Sequence, residues 1–283
     1  MKLRAPLAAL CLLSLCSLSA SGGKTLNVKV GYVTPLSEID AAKAAGFDYL
    51  ELRTAEVAGL PDADYEKLVE KIKHLGIPAP VSNNFIPASI KLTGPAIDKD
   101  QQMNYVRKAF DRVSKLGVQI IVFGSGDARR VPEGFSKEEA FRQLVEFCRR
   151  IAPEARARKI TIAIEPLRRQ ESNIINTAGE GLELVKAVND PDIQLMVDFY
   201  HLAFEKEDPA IIIRAKDHIR HLHMANPEGR VFPLKWEEYN YAPFFENLRR
   251  IGYDKRISVE AKAVDFTKDA PQAIALLRKA FTQ

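Results

Sequence analysis

The chain has 283 residues, 46% apolar and 28% charged, and its ordinary counts of glycine (15) and proline (16) exclude collagen-like and low-complexity classes. This length suits one large domain with a sizeable core. Lysine and arginine outnumber aspartate and glutamate by 41 to 37, a formal charge of +4 that is too small to argue for a nucleic-acid partner.

The first segment reads MKLRAPLAALCLLSLCSLSASGGK. Lys2 and Arg4 form a basic start, residues 7–18 an apolar stretch, and Ser19, Ala20, Ser21, Gly22 and Gly23 a run of small residues. That is the pattern of a secretory signal, and its apolar run is shorter than the roughly 20 residues a membrane span requires. Residues 1–23 are therefore expected to be removed. A single domain over 24–283 would remain, secreted or periplasmic, with no membrane anchor and a net charge of about +2. A lipoprotein is disfavoured because leucines (Leu10, Leu15) precede Cys11 and Cys16, where lipidation wants a small residue. Cleavage leaves Cys148 as the one cysteine, in the helical pattern EEAFRQLVEFCRRI. It is read as a buried structural thiol, with no disulfide partner in the chain.

From there short β-branched runs alternate with longer amphipathic ones. Strands are expected over 28–33, 49–52, 79–83, 119–123, 159–165, 193–198, 219–224 and 256–260, and helices over 37–45, 62–75, 99–116, 137–158, 178–188, 208–215, 236–251 and 270–281. Gly46, Gly76, Gly117 and Gly252 stand where helix C-caps belong. Eight such alternations give an α/β fold of the (β/α)8 TIM-barrel type. An open doubly wound sheet is the alternative, but GYVTPLSE after the first strand is not a glycine-rich phosphate loop. In 235–247, Trp236, Tyr239, Tyr241, Phe244 and Phe245 are expected to pack a helix onto the strands, with part left for a homodimer contact or the pocket rim.

In such a barrel the chemistry sits at the C-terminal strand ends. Glu51 ends the second strand, Asn83 and Asn84 follow the third, and VFGSGD ends the fourth. Glu165, Asp198, His223 and Glu260 end strands five to eight. Ionisable groups closing four consecutive apolar strands are costly unless paired, hydrated or bound to metal. His221 and His223 share a strand face; His223 is nearer the end and is the better ligand, and His221 is read as a packed, hydrogen-bonded core residue. His74 reads as a surface residue and His218 as a structural one. Three carboxylates with one imidazole favour one divalent ion of the Mn²⁺, Mg²⁺ or Co²⁺ type and admit Zn²⁺, leaving open positions for adjacent substrate oxygens.

The segments IEPLRRQESN, LMVDFYHLA, HLHMANPEGR and ISVEA, in order over about a third of the chain, resemble the xylose isomerase-like TIM-barrel superfamily. Within it the resemblance is to the sugar phosphate isomerase/epimerase group, which includes hydroxypyruvate isomerase and the D-tagatose/D-psicose 3-epimerases. The resemblance implies that Glu165 and Glu260 are metal-binding glutamates that also act as acid and base, with Asp198 and His223 as the other ligands. It implies substrate contacts from Glu171, His201 and Arg230; their bland readings are a helix cap for Glu171 and a loop salt bridge for Arg230. The loop MANPEG and the continuation EAKAVDF depart from the epimerase pattern, and Asn83-Asn84 has no assigned place in an epimerase pocket.

The expected activity is metal-dependent isomerisation or epimerisation of a neutral ketose or related keto-sugar through an enediolate. A neutral substrate is favoured because MANPEGRVFPLK and AKAVDFTKD are not glycine-rich phosphate cradles. The alternatives are a keto-glycoside lyase or hydrolase on the same site, an apurinic-endonuclease-like nuclease, and a non-catalytic sugar-binding protein. Too few strand-end histidines for three zinc ions and no basic stripe count against the nuclease. Export predicts a mature protein starting near residue 24, checked by N-terminal sequencing of the secreted or periplasmic product. A mature chain that retains residues 1–23 would remove this expectation.

Overall fold

A computed structural model describes residues 26–282. Residues 1–23, expected from the sequence to be a secretory signal, lie outside the described residues. Eight parallel strands close on themselves in sequence order: β1 (Lys29–Val33), β2 (Tyr49–Arg53), β3 (Val81–Asn83), β4 (Ile120–Phe123), β5 (Thr161–Ile164), β6 (Ile193–Asp198), β7 (Ile219–Met224) and β8 (Arg256–Val259). Closure is made by β1 against β8, with Lys29 opposite Arg256 and Tyr32 opposite Val259. All eight expected strands form, so the barrel reading holds. Among the described residues no helix is long and apolar enough to cross a membrane.

Alternation along the strands produces two apolar layers. Outward positions such as Leu50, Leu52, Ile121, Ile162, Val197, Leu222 and Ile257 pack against the surrounding helices, where Leu144, Phe147 and Ile151 of Lys137–Ala157 are fully buried. Inward positions Tyr49, Val81, Ile120, Val122, Ala163 and Met196 form a separate cluster inside the barrel. Towards the C-terminal ends of β2, β3, β5, β6, β7 and β8 the inward residues are polar: Glu51, Asn83, Glu165, Asp198, His221, His223, Ser258 and Glu260. The barrel is thus plugged by an apolar floor beneath a charged mouth. Cys148 is fully buried on the outer-layer helix, and burial pushes its thiol up to about 12, as befits a structural residue.

Local chemistry accounts for where helices start and stop. Ser136 Oγ accepts the Glu139 N–H (3.3 Å) and Thr177 Oγ1 accepts the Glu180 N–H (3.1 Å), so each caps its helix. Gly46 and Gly76 close theirs in the left-handed region, at φ +88° and +62°. Proline moves several expected boundaries. The helix expected over 236–251 is a 3-10 turn (Trp236–Glu238) followed by Ala242–Arg250, which carries Pro243 in its first turn, and the one expected from 208 begins after Pro209 as Ile211–Ala215. The last helix starts earlier than expected, at Phe266, because Asp265 caps it by accepting the Lys268 N–H (3.4 Å). Short helices Thr54–Gly59, Gly126–Arg129 and Phe199–Phe204 follow strand ends directly and carry no long periodic signal in the sequence. Phe244 and Phe245 are fully buried, while Trp236 and Tyr239 are partly buried against the same core.

Gly31 on β1 makes room for the Tyr49 ring inside the barrel: a Cβ there would lie 2.2 Å from the Tyr49 ring. The ring is held by a hydrogen bond between its hydroxyl and Ser258 Oγ (2.8 Å) and cannot swing aside without breaking it. Gly31→Ala should therefore destabilise the protein by about 1–3 kcal/mol, the usual range for overpacking, and lower the thermal unfolding midpoint. An unchanged midpoint would mean that the Tyr49 ring does not fill the barrel floor.

Candidate metal and active site

Four inward-facing side chains meet at the C-terminal mouth. Asp198 ends β6 and stands opposite His223 of β7 in the strand register. Glu165 and Glu260 lie one residue past β5 and β8, still on the barrel lattice, because their N–H groups donate to Phe123 O (3.2 Å) and Met224 O (3.0 Å). Donor atoms of Glu165, Asp198, His223 and Glu260 all lie within 4.8 Å of one another. The four residues read from strand ends as a ligand set therefore converge.

The electrostatics of this cluster favour a cation. Glu165, Asp198 and His223 are buried, and Glu165 Oε1 and Asp198 Oδ2 have no hydrogen-bond partner. Burial raises the Glu165 carboxyl above its ordinary value and, helped by the Glu260 and Glu165 charges, pushes Asp198 up to about 7. Burial would raise Glu260 too, but His223 and Arg230 outweigh it and hold that carboxyl at about 2. For His223 burial favours the neutral ring, yet the charges of Glu51 and Glu260 lift its pKa well above the usual range. Without a metal, His223 and Arg230 are the cations that oppose three converging carboxylates. Orphaned carboxylate oxygens aimed at one point, with an imidazole nitrogen beside them, are the donor set a hard or borderline divalent ion takes.

Of the three expected substrate contacts, Glu171 and Arg230 stand at the rim of this cluster, whereas His201 is buried beside Asp198 and does not line the cavity. His201 lies in the short helix Phe199–Phe204, whose N-cap is Asp198: Oδ1 accepts the Tyr200 N–H (2.8 Å) while Oδ2 stays free, 3.4 Å from His201 Nε2. His201 Nδ1 accepts the Arg168 N–H (3.2 Å), and burial together with Arg230 lowers its pKa to about 3, so the ring is neutral. Arg230 donates to Glu260 Oε2 (2.7 Å) and Glu171 Oε1 (3.3 Å), and its guanidinium lies 4.5 Å over the Tyr200 ring. Glu171 does not cap a helix; it pairs with Arg168 (2.7 Å) and Arg230. Glu165, Glu171, Arg230 and Glu260 line one cavity of about 400 Å³, together with Asn84, Asp127, Arg130 and Gln170.

Other residues shape the site without having been singled out for it in the sequence. Gly124, just past β4, leaves space for the Glu165 carboxylate: a Cβ there would lie 2.3 Å from Oε2. Fully buried Arg129 donates to Phe123 O (3.2 Å), Glu165 O (2.9 Å) and Ile175 O (3.2 Å), pinning the backbone from which Glu165 projects. Asn83 Nδ2 donates to Glu260 Oε1 (3.1 Å), which gives that residue its place. The GSGD strand end is a signal that could have pointed to Gly124; Arg129 carries none, since arginines in loops are common and its burial is a tertiary fact. His221 is the packed core histidine expected, bonded to Glu51 Oε2 (2.8 Å). His218 Nδ1 meets Gln194 Oε1 (3.3 Å), a structural contact as expected.

Comparison with known proteins agrees with this geometry. The family model described as xylose isomerase-like TIM barrel matches residues 39–280. An L-ribulose 3-epimerase from Methylomonas sp. (strain DH-1) is 29% identical over 230 residues, covering 79% of this chain and 77% of that protein. A D-psicose 3-epimerase from Ruminiclostridium cellulolyticum is 26% identical over 231 residues, 78% of this chain and 76% of the relative. In fold the chain is similar to a crystal structure of D-psicose 3-epimerase obtained in the presence of D-fructose, with a TM-score of 0.78, 21% identity, and coverage of 90% of this chain and 100% of that one.

Proposed function

The chain belongs to the xylose isomerase-like TIM barrel family, and on that premise we propose that it is a divalent-metal-dependent sugar epimerase acting on a free ketose or related keto-sugar. The named activities of its relatives, L-ribulose and D-psicose 3-epimerisation, support this reading. The observation that carries it is the convergence of Glu165 and Glu260 with Asp198 and His223. Bound by these four, an ion such as Mn²⁺, Mg²⁺, Co²⁺ or Zn²⁺ supplies Lewis-acid polarisation of a carbonyl and its neighbouring hydroxyl.

The protein's own groups then move the proton. Glu260, oriented by Asn83 and Arg230, and Glu165, oriented by the space over Gly124, serve as the acid–base pair. One removes the proton next to the carbonyl and the other returns a proton to the opposite face of the planar enediolate, which inverts that carbon. Glu171 and Arg230, in the cavity wall, hydrogen-bond the sugar hydroxyls, with neutral His201 buried beside Asp198 as a third contact. The signal-like segment at 1–23 supports an exported enzyme.

Glu165→Gln and Glu260→Gln should each reduce exchange of the substrate proton with solvent deuterium by about 10²–10⁴-fold. Metal content is measured in the same samples; undiminished exchange in a metal-loaded variant would remove that residue from the mechanism. The cavity also supports a neutral substrate. Asp127, Glu165, Glu171 and Glu260 face Arg130 and Arg230, and both arginines are already engaged: Arg230 with Glu171 and Glu260, Arg130 with the Glu171 carbonyl (2.8 Å). A phosphate dianion would meet net negative charge. A ketose should therefore show a higher kcat/KM than its phosphate ester, and the reverse order in a paired kinetic comparison would overturn the neutral-substrate reading.

A further inference from the structure

Beneath the proposed metal cluster lies a second charged layer that none of the assigned roles uses. Glu51 lies mid-strand on the inward face of β2 and is fully buried, with no arginine or lysine among the described residues paired with its carboxylate. It lies beneath the cluster and does not line the cavity of about 400 Å³. Its two oxygens reach across the barrel to β7: Oε1 lies 2.8 Å from His223 Nε2, and Oε2 lies 2.8 Å from His221 Nε2. His221 is braced in turn by Ser258 Oγ at 3.3 Å, and Ser258 by the Tyr49 hydroxyl at 2.8 Å. The carboxylate plane is therefore held at both ends.

This arrangement decides which face His223 shows the metal cluster. With Nε2 committed to Glu51, Nδ1 is the atom presented to Glu260 Oε2 (3.1 Å) and Glu165 Oε1 (3.3 Å). An imidazole ligand needs a free lone pair on the coordinating nitrogen and a proton on the other, and an acceptor for that proton fixes both tautomer and ring orientation. A second metal ion among Glu51, His221 and His223 does not fit the distances. Donors of one tetrahedral ion at metal–ligand lengths near 2.0–2.1 Å stand about 3.4 Å apart, whereas the nitrogen–oxygen separations here are 2.8 Å, those of hydrogen bonds.

We infer that Glu51 is a positioning residue: it accepts the Nε2 proton of His223, so that Nδ1 points its lone pair at a divalent ion held with Glu165, Asp198 and Glu260. The inference rests on the reading of those four residues as a metal site. Glu51 acts only through His223, and its loss weakens the ion's hold without removing a ligand. Losses of such supporting carboxylates lower metal affinity by roughly 10- to 100-fold.

The test compares the unsubstituted protein with Glu51→Gln, which keeps the side-chain shape and removes the charge. Mn²⁺ affinity is measured by calorimetric titration of chelator-treated protein, and the ligand field is read from the visible absorption bands of Co²⁺-loaded samples. Roughly 10- to 100-fold weaker Mn²⁺ binding with shifted Co²⁺ bands is the expected result. Equal affinity and identical bands in the two proteins would overturn the inference while leaving the metal site standing. Failure of the unsubstituted protein to bind Mn²⁺ would overturn the metal reading and this inference with it. A measurement that needs no variant stands beside these: in the Mg²⁺-loaded protein, long-range ¹H–¹⁵N correlation should put the His223 ring proton on Nε2, and a proton on Nδ1 overturns the inference.

Discussion

The barrel mouth concentrates more negative charge than its own cations can neutralise. Glu51, Glu165, Asp198 and Glu260 converge inside a low-dielectric cylinder, and the groups that oppose them are His223 and Arg230. Like charges at this depth repel strongly unless a cation or a proton relieves them. His223 is the pivot, since it touches Glu51 below and Glu165 and Glu260 above. Removing that one imidazole would leave charged groups unpaired in both layers, and breaking a buried pair from one side is far more damaging than replacing both partners.

The rest of the barrel is arranged to make this concentration tolerable. An apolar floor closes the cylinder below, with the Tyr49 ring seated against Gly31, so water does not reach Glu51 from beneath. Gly124 leaves room beside it for the Glu165 carboxylate. Arg129 is buried away from the cluster and is spent on three backbone carbonyls instead of a carboxylate. Phe123 O also accepts the Glu165 N–H and Ile175 O the Leu167 N–H, so Arg129 ties these backbone segments together as a shared donor and holds the strand end in place.

Two kinds of support serve the site. The four residues of the proposed metal site project from strand ends whose backbone positions are set by the barrel hydrogen-bond lattice, which gives the precision an ion's ligands require. Glu171, His201 and Arg230, the proposed substrate contacts, come from the loops and short helices above, where geometry adapts more easily than on strands. Arg230 adopts a left-handed backbone (φ +51°) directly after Gly229 (φ +82°), an uncommon conformation for a long side chain. Its ion pairs to Glu171 and Glu260 and its stacking over Tyr200 hold it there, so strain at the loop is matched by contacts at the guanidinium.

Strand-to-helix alternation, the glycine helix ends and the charged residues closing strands five to eight were legible in the sequence, because periodicity and strand-end chemistry are local properties. Four ligand candidates follow from them directly, since consecutive strands of a closed barrel must bring their ends to one mouth. Asn83 and Glu51 were visible as polar strand ends but had no role there, because their partners Glu260 and His223 lie 177 and 172 residues away. The proline-shifted helices, the short helices after β2, β4 and β6, and the burial of Arg129 likewise came only with the fold. A sequence states which side chains face inward; it does not state how far round the barrel each one reaches. Which carboxylate meets which imidazole is decided by register and closure, and these exist only once all eight strands are paired.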